Sequence, residues 1–221
     1  MTPQEFLFQL TQNIERFEKV AAFLSVPGYL SWHEGFALLS FAETWPVEGD
    51  IVEIGSFKGK STCFLAQGLL RSGRGKVHAV DHFQGSPEHQ KGGHEETVEI
   101  VESGSTYDQF RGNLAAFGLE DVVEAIVSGS QEAARSWTGP ARMIFIDGDH
   151  SYEGTKGDFE AWFPHVADTG LICFHDYQNS HYLDGVTRFI DEEISVHPNM
   201  QFLHRANSLM TYMKRAEPTA S

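Results

Sequence analysis

The sequence predicts an open, doubly wound α/β sheet, mostly parallel, on three observations. After Gly49, short apolar runs alternate with stretches of helical periodicity, the pattern of parallel strands covered on both faces. The chain closes on two consecutive strands, Gln201–His204 and Leu209–Met213, with only Arg205–Ser208 between them. Such a hairpin sets one antiparallel strand into an otherwise parallel sheet. No internal repeat, low-complexity tract or Pro/Gly/Ser linker divides the 221 residues, so a single α/β unit is expected.

Taken in order, Thr2 to about Leu24 places Phe6, Leu7, Leu10, Ile14, Phe17 and Phe23 at helical spacing behind Thr2-Pro3. A Pro27-Gly28 turn follows, and Ser31–Ala42 reads as a second helix. This front end is expected to act as a helical cap or dimer surface rather than in catalysis. Strands are expected at Ile51–Ile54, Lys76–Val80, Val122–Val127, Met143–Ile146 and Leu171–Phe174. Helices fall between them: from Lys60 to Leu70, around Tyr107–Phe117, from Gln131, and across Gly154–Phe163, with a last one at Gly185–Ile194.

Composition narrows the partners. Sixteen Lys and Arg against 31 Asp and Glu give a net charge of −15. So negative a surface repels phosphate backbones and anionic lipid, which disfavours nucleic acid and membranes and leaves neutral or cationic small molecules. Cys63 and Cys173 sit in apolar runs and read as two buried free thiols of a reducing compartment. No apolar run approaches a membrane span and Met1–Phe6 lacks signal-peptide character, so a cytoplasmic protein is expected.

In doubly wound sheets, ligands sit beyond the carboxyl ends of the strands. The first strand runs out into Glu53-Ile-Gly55-Ser-Phe-Lys-Gly59-Lys-Ser61. A P-loop needs four residues between its first glycine and Gly-Lys-Ser, and this turn has three. A dinucleotide fingerprint needs a middle glycine, which is absent. What remains is an acid two residues before a G-x-x-x-G turn and a helix N-terminus. There backbone N–H groups can receive a carboxylate, and Glu53 can face a cationic group. Asp81 ends the second strand, where a carboxylate can take both hydroxyls of a ribose. A ribose acid without a pyrophosphate loop points to a nucleoside.

Two further strand ends carry chemistry. Met143–Tyr152 releases Asp147, Asp149 and His150, and Leu171–Tyr177 releases His175 and Asp176. If those strands are neighbours, the side chains converge on one edge, a donor set suited to a divalent cation such as Mg²⁺, Mn²⁺ or Zn²⁺. A histidine there can serve as general base near neutral pH. His33, His165, His197 and His204 read as structural or solvated. The polar, glycine-bearing stretch from His82 to Thr106, with His89, His94 and a short helical pattern at Glu95–Glu102, reads either as a lid or as a surface insertion.

The segments EIGSFKGKST, VHAVDHFQG, MIFIDGDHSYEGTKGDFEAW and GLICFHDY together resemble class I S-adenosylmethionine-dependent methyltransferases, in particular the group built around an IDGDHSY-type motif. The sequence is similar, more distantly, to the metal-dependent O-methyltransferases of catechol and of macrolide and aminocoumarin sugars. The resemblance covers about Gly49 to Arg215. It implies a Rossmann-like methyltransferase fold, with a seven-stranded sheet and an antiparallel last strand. Residues 1–48 then form an N-terminal helical extension, and residues 49–215 the S-adenosylmethionine-binding domain. Carried over position by position, the resemblance sets Glu53, Gly55, Ser56 and Gly59 around the methionine part of the cofactor. Asp81 falls at the ribose, Ser130 and Gln131 at the adenine. Asp147 faces the cofactor amino group and, with His175 and Asp176, forms the metal set, while His150 and Asp147 take the catalytic positions. His175 stands where those relatives usually place a carboxylate, which favours an ion other than Mg²⁺ or none. O-methylation of a small-molecule hydroxyl is the function implied. The alternatives are a metal-dependent oxygenase-type enzyme on the same fold and a non-catalytic nucleoside-binding module. The N-terminal helices leave room for a homodimer.

Overall fold

The computed structural model describes residue 4 and residues 17–86, 89–93, 95–179 and 184–216. Most of the helix expected between Thr2 and Leu24 lies outside the described residues, as does His94. Residues 17–21 are helical and pass into a 3-10 turn at Ala22–Ser25. Helix α1 (Trp32–Thr44) then begins at an extended Ser31, whose hydroxyl accepts from the Glu34 N–H while Glu34 returns its carboxylate to the Ser31 N–H. This reciprocal capping box satisfies two of the N–H groups a helix start leaves unpaired.

From Asp50 onward, strands and helices alternate as expected. Strand β1 (Asp50–Ile54) feeds α2 (Lys60–Ser72), which Gly73 terminates in the left-handed region. Strand β2 (Val77–Asp81) is followed by α3 (Val98–Ser103) and α4 (Tyr107–Phe117), and then by β3 (Val123–Val127) and α5 (Ser130–Ser136). Next come β4 (Ala141–Ile146), α6 (Tyr152–Trp162), β5 (Val166–Phe174) and α7 (Gly185–Phe189), with β6 (Met200–Ala206) and β7 (Leu209–Lys214) last. Two bounds differ most from expectation. Strand β5 starts at Val166, five positions ahead of the apolar run, and the added stretch carries the exposed Asp168 and a left-handed Thr169 (φ 59°). The last helix gives way to a π turn at Ile190–Ile194, with Ser195 N–H bonded to the Ile190 carbonyl.

The seven strands are ordered β3-β2-β1-β4-β5-β7-β6. The first five are parallel, and β7 runs antiparallel to both β5 and β6. Chain direction across the sheet reverses between β1 and β4, so the crevice of the fold opens there. Alternation along β4 divides the core. Met143 and Phe145 face Leu38, Phe64 and Phe110 of α1, α2 and α4, while Ile144 and Ile146 face Phe159, Trp162 and Phe189 on the other side. Val20, Phe23 and Leu38 belong to the same apolar layer as β1 and β4, so the front end shares the core of the sheet. Both cysteines are free and buried. Among the described residues, no helix is long and apolar enough to cross a membrane.

Helices α1 and α2 approach closely because two glycines face the contact. A Cβ at Gly35 would stand 2.6 Å from the Phe64 ring, and one at Gly68 would stand 2.6 Å from both Ala42 Cβ and the Leu39 carbonyl oxygen. Alanine at Gly68 gains about 1 kcal/mol of helix propensity. It also forces backbone apart, which costs roughly 1–3 kcal/mol in a packed core. The second effect should win: Gly68→Ala is expected to lower the urea-unfolding free energy by about 1–2 kcal/mol with an unchanged m-value.

Candidate active site

The strand ends converge because β4 lies between β1 and β5, with Ile54, Ile146 and Phe174 in register. A cavity of about 1180 Å³ opens on this edge. Its floor is the turn after β1. Gly55 sits at φ 85°, and a Cβ there would collide with the Asp147 carbonyl, so only glycine lets the two loops touch. Gly59 (φ 86°) caps α2. Asp81 ties this turn to β2: Oδ2 accepts from the Phe57 N–H at 2.7 Å and Oδ1 from the Phe83 N–H at 2.6 Å. A carboxylate has about four acceptor positions, so capacity remains for two ligand hydroxyls on the cavity side.

Gly55, Ser56, Asp81, Ser130, Gln131 and Asp147 all line the cavity. Two expected ligand contacts do not. Gly59 shapes the helix start without facing the cavity, and Glu53 is fully buried beneath it. The Glu53 carboxylate accepts from the Thr62 hydroxyl, and burial pushes its pKa from 4.5 up to about 7. It therefore braces the turn from below. Ser130 is anchored by the Trp162 indole N–H at 2.9 Å and sits beside Asp158, whose pKa burial raises to about 6.

The second half of the site is the acid and histidine cluster. His175 is 4 % exposed and its Nδ1 lies 3.1 Å from Asp147 Oδ1 and 3.2 Å from Asp176 Oδ2. His150 Nε2 reaches the same Asp176 oxygen at 3.0 Å. Asp176 adopts a left-handed backbone (φ 62°), uncommon for a residue with a side chain and a mark of functional sites. Asp149 turns back instead, accepting from the Ser151 N–H at the start of α6. One oxygen of Asp147, one nitrogen of His175 and one oxygen of Asp176 all lie within 4.8 Å of one another.

Sequence reasoning missed a fourth member. Glu34 of α1 is 2 % exposed and places Oε2 3.4 Å from His175 Nε2. The front end therefore supplies more than a cap or dimer surface, which corrects the expectation for it. Glu34 also accepts from the Ser208 N–H (3.0 Å) and Ser208 hydroxyl (2.6 Å). Ser31-x-x-Glu34 was readable as a capping box, but its second contact depends on the β6–β7 turn. The electrostatics follow from this packing. Burial works against charge on His175, yet Asp147, Asp176 and Glu34 outweigh it and hold its pKa well above 6.5. Burial likewise opposes ionisation of Glu34, but His175, Ser208 and Ser31 bring it down to about 2. Asp176 is lowered by His150 and His175 despite burial, whereas burial keeps Asp147 raised.

Over the cavity lies the segment after β2, together with the Pro27–Leu30 turn. His89 stacks on Phe57 (centroids 5.2 Å apart), Lys58 Nζ pairs with Glu99 at 2.7 Å, and Glu95 beside Tyr29 helps burial raise the phenol's pKa. Gly85, Ser86, His89 and Tyr29 line the cavity.

Comparison with known proteins agrees with this geometry. The chain belongs to a methyltransferase-domain family, whose model matches residues 52–177. An uncharacterised protein, y4gI, of Sinorhizobium fredii is 26% identical over 159 residues, covering 69% of this chain and 16% of that protein. The 8-demethyl-8-(2,3-dimethoxy-alpha-L-rhamnosyl)-tetracenomycin-C 4'-O-methyltransferase of Streptomyces olivaceus is 28% identical over 141 residues, covering 59% of this chain and 54% of that protein. The chain thus spans a sixth and about half of the lengths of these two relatives. In fold it is similar to the O-methyltransferase from Bacillus cereus solved in complex with SAH, at TM-score 0.62 and 20% identity over 89% of this chain and 91% of that one.

The buried Glu53 sets a pH dependence. Its folded pKa of about 7 lies above the ordinary 4.5, so the unfolded chain ionises first as pH rises. Its contribution to stability is therefore full below pH 4.5 and falls away up to about pH 7. In urea titrations at pH 4.5 and pH 8, Glu53→Gln should lose about 3 kcal/mol less stability across the interval than the unaltered chain.

Proposed function

We propose that this protein transfers a methyl group from S-adenosylmethionine to a hydroxyl of a small-molecule acceptor, within a domain of residues 49–215 that residues 1–48 precede in sequence. The observation that carries the reading is that the Gly55 turn, Asp81, Ser130 and the Asp147/His150/His175/Asp176 cluster open onto one cavity of about 1180 Å³. Ligand pockets run to about 300–1,000 Å³, so this space suits a nucleoside cofactor and an acceptor side by side. Asp81 holds the ribose hydroxyls, Ser130 and Gln131 border the adenine, and Gly55 and Ser56 border the amino-acid end. Glu53 serves from beneath, as the brace of that turn.

When bound, the cofactor supplies an electrophilic methyl group on a sulfonium, and positioning of the acceptor oxygen is the main demand on the protein. That oxygen must lose its proton. His150 is the base, and the Asp176 carboxylate at 3.0 Å orients its ring and stabilises the imidazolium formed. Asp147, His175 and Asp176 fit a divalent cation. Both ring nitrogens of His175 are buried without a well-formed hydrogen bond, and the three donor atoms are clustered. Two carboxylates and an imidazole suit Mn²⁺ or Zn²⁺ better than Mg²⁺. Such an ion supplies Lewis acidity toward the acceptor oxygen.

Calorimetric titration with S-adenosylmethionine, with EDTA and then with Mn²⁺ or Zn²⁺, tests both layers of the reading. Micromolar binding is expected in EDTA, with Asp81→Ala weakening it about 10- to 100-fold as charge-assisted bonds are lost. His150→Ala should cut kcat on a competent acceptor while leaving cofactor affinity unchanged. Absence of cofactor binding in every condition overturns the methyltransferase reading.

A further inference from the structure

Glu34 is built to face His175. Three donors, the Ser31 N–H at 2.7 Å and the Ser208 N–H and hydroxyl, fix its carboxylate from behind. Ser208 is brought there by the β6–β7 turn, in which Asn207 is left-handed (φ 50°) and donates its side-chain amide to Ser31 Oγ at 2.9 Å. Capping α1 requires only the bond to Ser31. Yet the carboxylate is buried, at a cost that a helix cap alone does not offset. The remaining direction from Oε2 leads to His175 Nε2, on the side of the ring opposite Asp147 and Asp176.

We infer that Glu34 is the positioning residue that keeps Nε2–H of His175 turned toward α1, so that Nδ1 faces Asp147 and Asp176 as a cation ligand. The inference rests on the divalent-cation reading and deepens it. Only one imidazole nitrogen can ligate while the other bears a proton, and the partner of the protonated nitrogen decides which. A carboxylate accepts and cannot donate, so Glu34 retains Nε2–H when a cation takes the place of the proton on Nδ1, between Asp147 and Asp176. An amide placed there can donate to Nε2 and send the proton to Nδ1, where a cation has to bind. Partners of this kind typically change metal affinity 10- to 100-fold when removed.

The test compares Glu34→Gln with Ser31→Ala in the full-length protein, using Mn²⁺ as probe. Free Mn²⁺ is read by electron paramagnetic resonance, and S-adenosylmethionine affinity is measured in EDTA. Both substitutions disturb the start of α1 and are expected to lower Tm. Glu34→Gln alone should weaken Mn²⁺ binding about 10- to 100-fold, with cofactor affinity in EDTA within about twofold because Glu34 does not line the cavity. Asp176→Asn should abolish the Mn²⁺ site and thereby show where the ion sits. Should Glu34→Gln fail to fold, Glu34→Asp keeps the charge but is one methylene short of the ring, and the same loss is expected. Equal Mn²⁺ affinity in Glu34→Gln and the unaltered chain, with Asp176→Asn impaired, overturns the positioning role and leaves the cation reading standing. No Mn²⁺ binding by the unaltered chain, or binding that Asp176→Asn does not change, overturns the cation reading and this inference with it.

Discussion

Three carboxylates around one buried imidazole set the terms for the rest of this structure. Asp147, Asp176 and Glu34 cannot all be ionised at such close range, two of them buried, without positive charge among them, and His175 stands between all three. Their pKa values diverge accordingly, with Glu34 and Asp176 lowered and Asp147 raised. Each comes from a different element: the start of α1, the exit of β4 and the exit of β5. Removing the central charge therefore strains a junction of three elements as well as a site. A cluster in which carboxylates outnumber imidazoles favours an exchangeable positive charge, whether a proton or a cation.

Around that junction, the cavity has two halves of different origin. One half is made by strand ends, where parallel pairing fixes backbone position and the Gly55 turn, Asp81 and Asp147 lock one another by backbone contacts. The other half is made by loops: the Pro27–Leu30 turn and the segment after β2, held by the Phe57–His89 stack and the Lys58–Glu99 pair. Rigid strand ends suit a cofactor that every turnover shares. Loops held by a few polar and aromatic contacts suit an acceptor that has to enter and leave.

The same division explains what the sequence disclosed. Strand-end residues are legible because their position follows from alternation alone: an apolar run ends and the next acid or histidine lands on the crevice. Asp81, Asp147, His150, His175 and Asp176 were found that way, and the hairpin at the tail followed from two adjacent apolar runs. Glu53 was legible as an acid near the turn but not as a brace, since its period along β1 points it at α2 and only packing reveals that Thr62 is there. The start of β5 was hidden because the exposed Asp168 and Thr169 interrupt the apolar pattern between Val166 and Leu171. Glu34 was hidden for the opposite reason: a complete local explanation, the capping box, masked a tertiary one.

That tertiary role depends on residues far from any chemistry. The reach of Glu34 to His175 is set by how deeply α1 settles on α2, and Gly35 and Gly68 set that depth by removing the side chains that would hold the helices apart. Gly35 follows Glu34 directly, so the close approach to Phe64 and the contact with His175 are two consequences of one helix position. Metal and proton chemistry tolerate displacements of only about half an ångström in supporting groups. A packing change at the helix pair thus acts on the ring of His175 through a rigid element, with no contact to cofactor or acceptor. Helix α1 thus serves two ends at once: Leu38, Leu39 and Ala42 complete the apolar layer on the sheet, and Glu34 reaches the histidine at the strand ends.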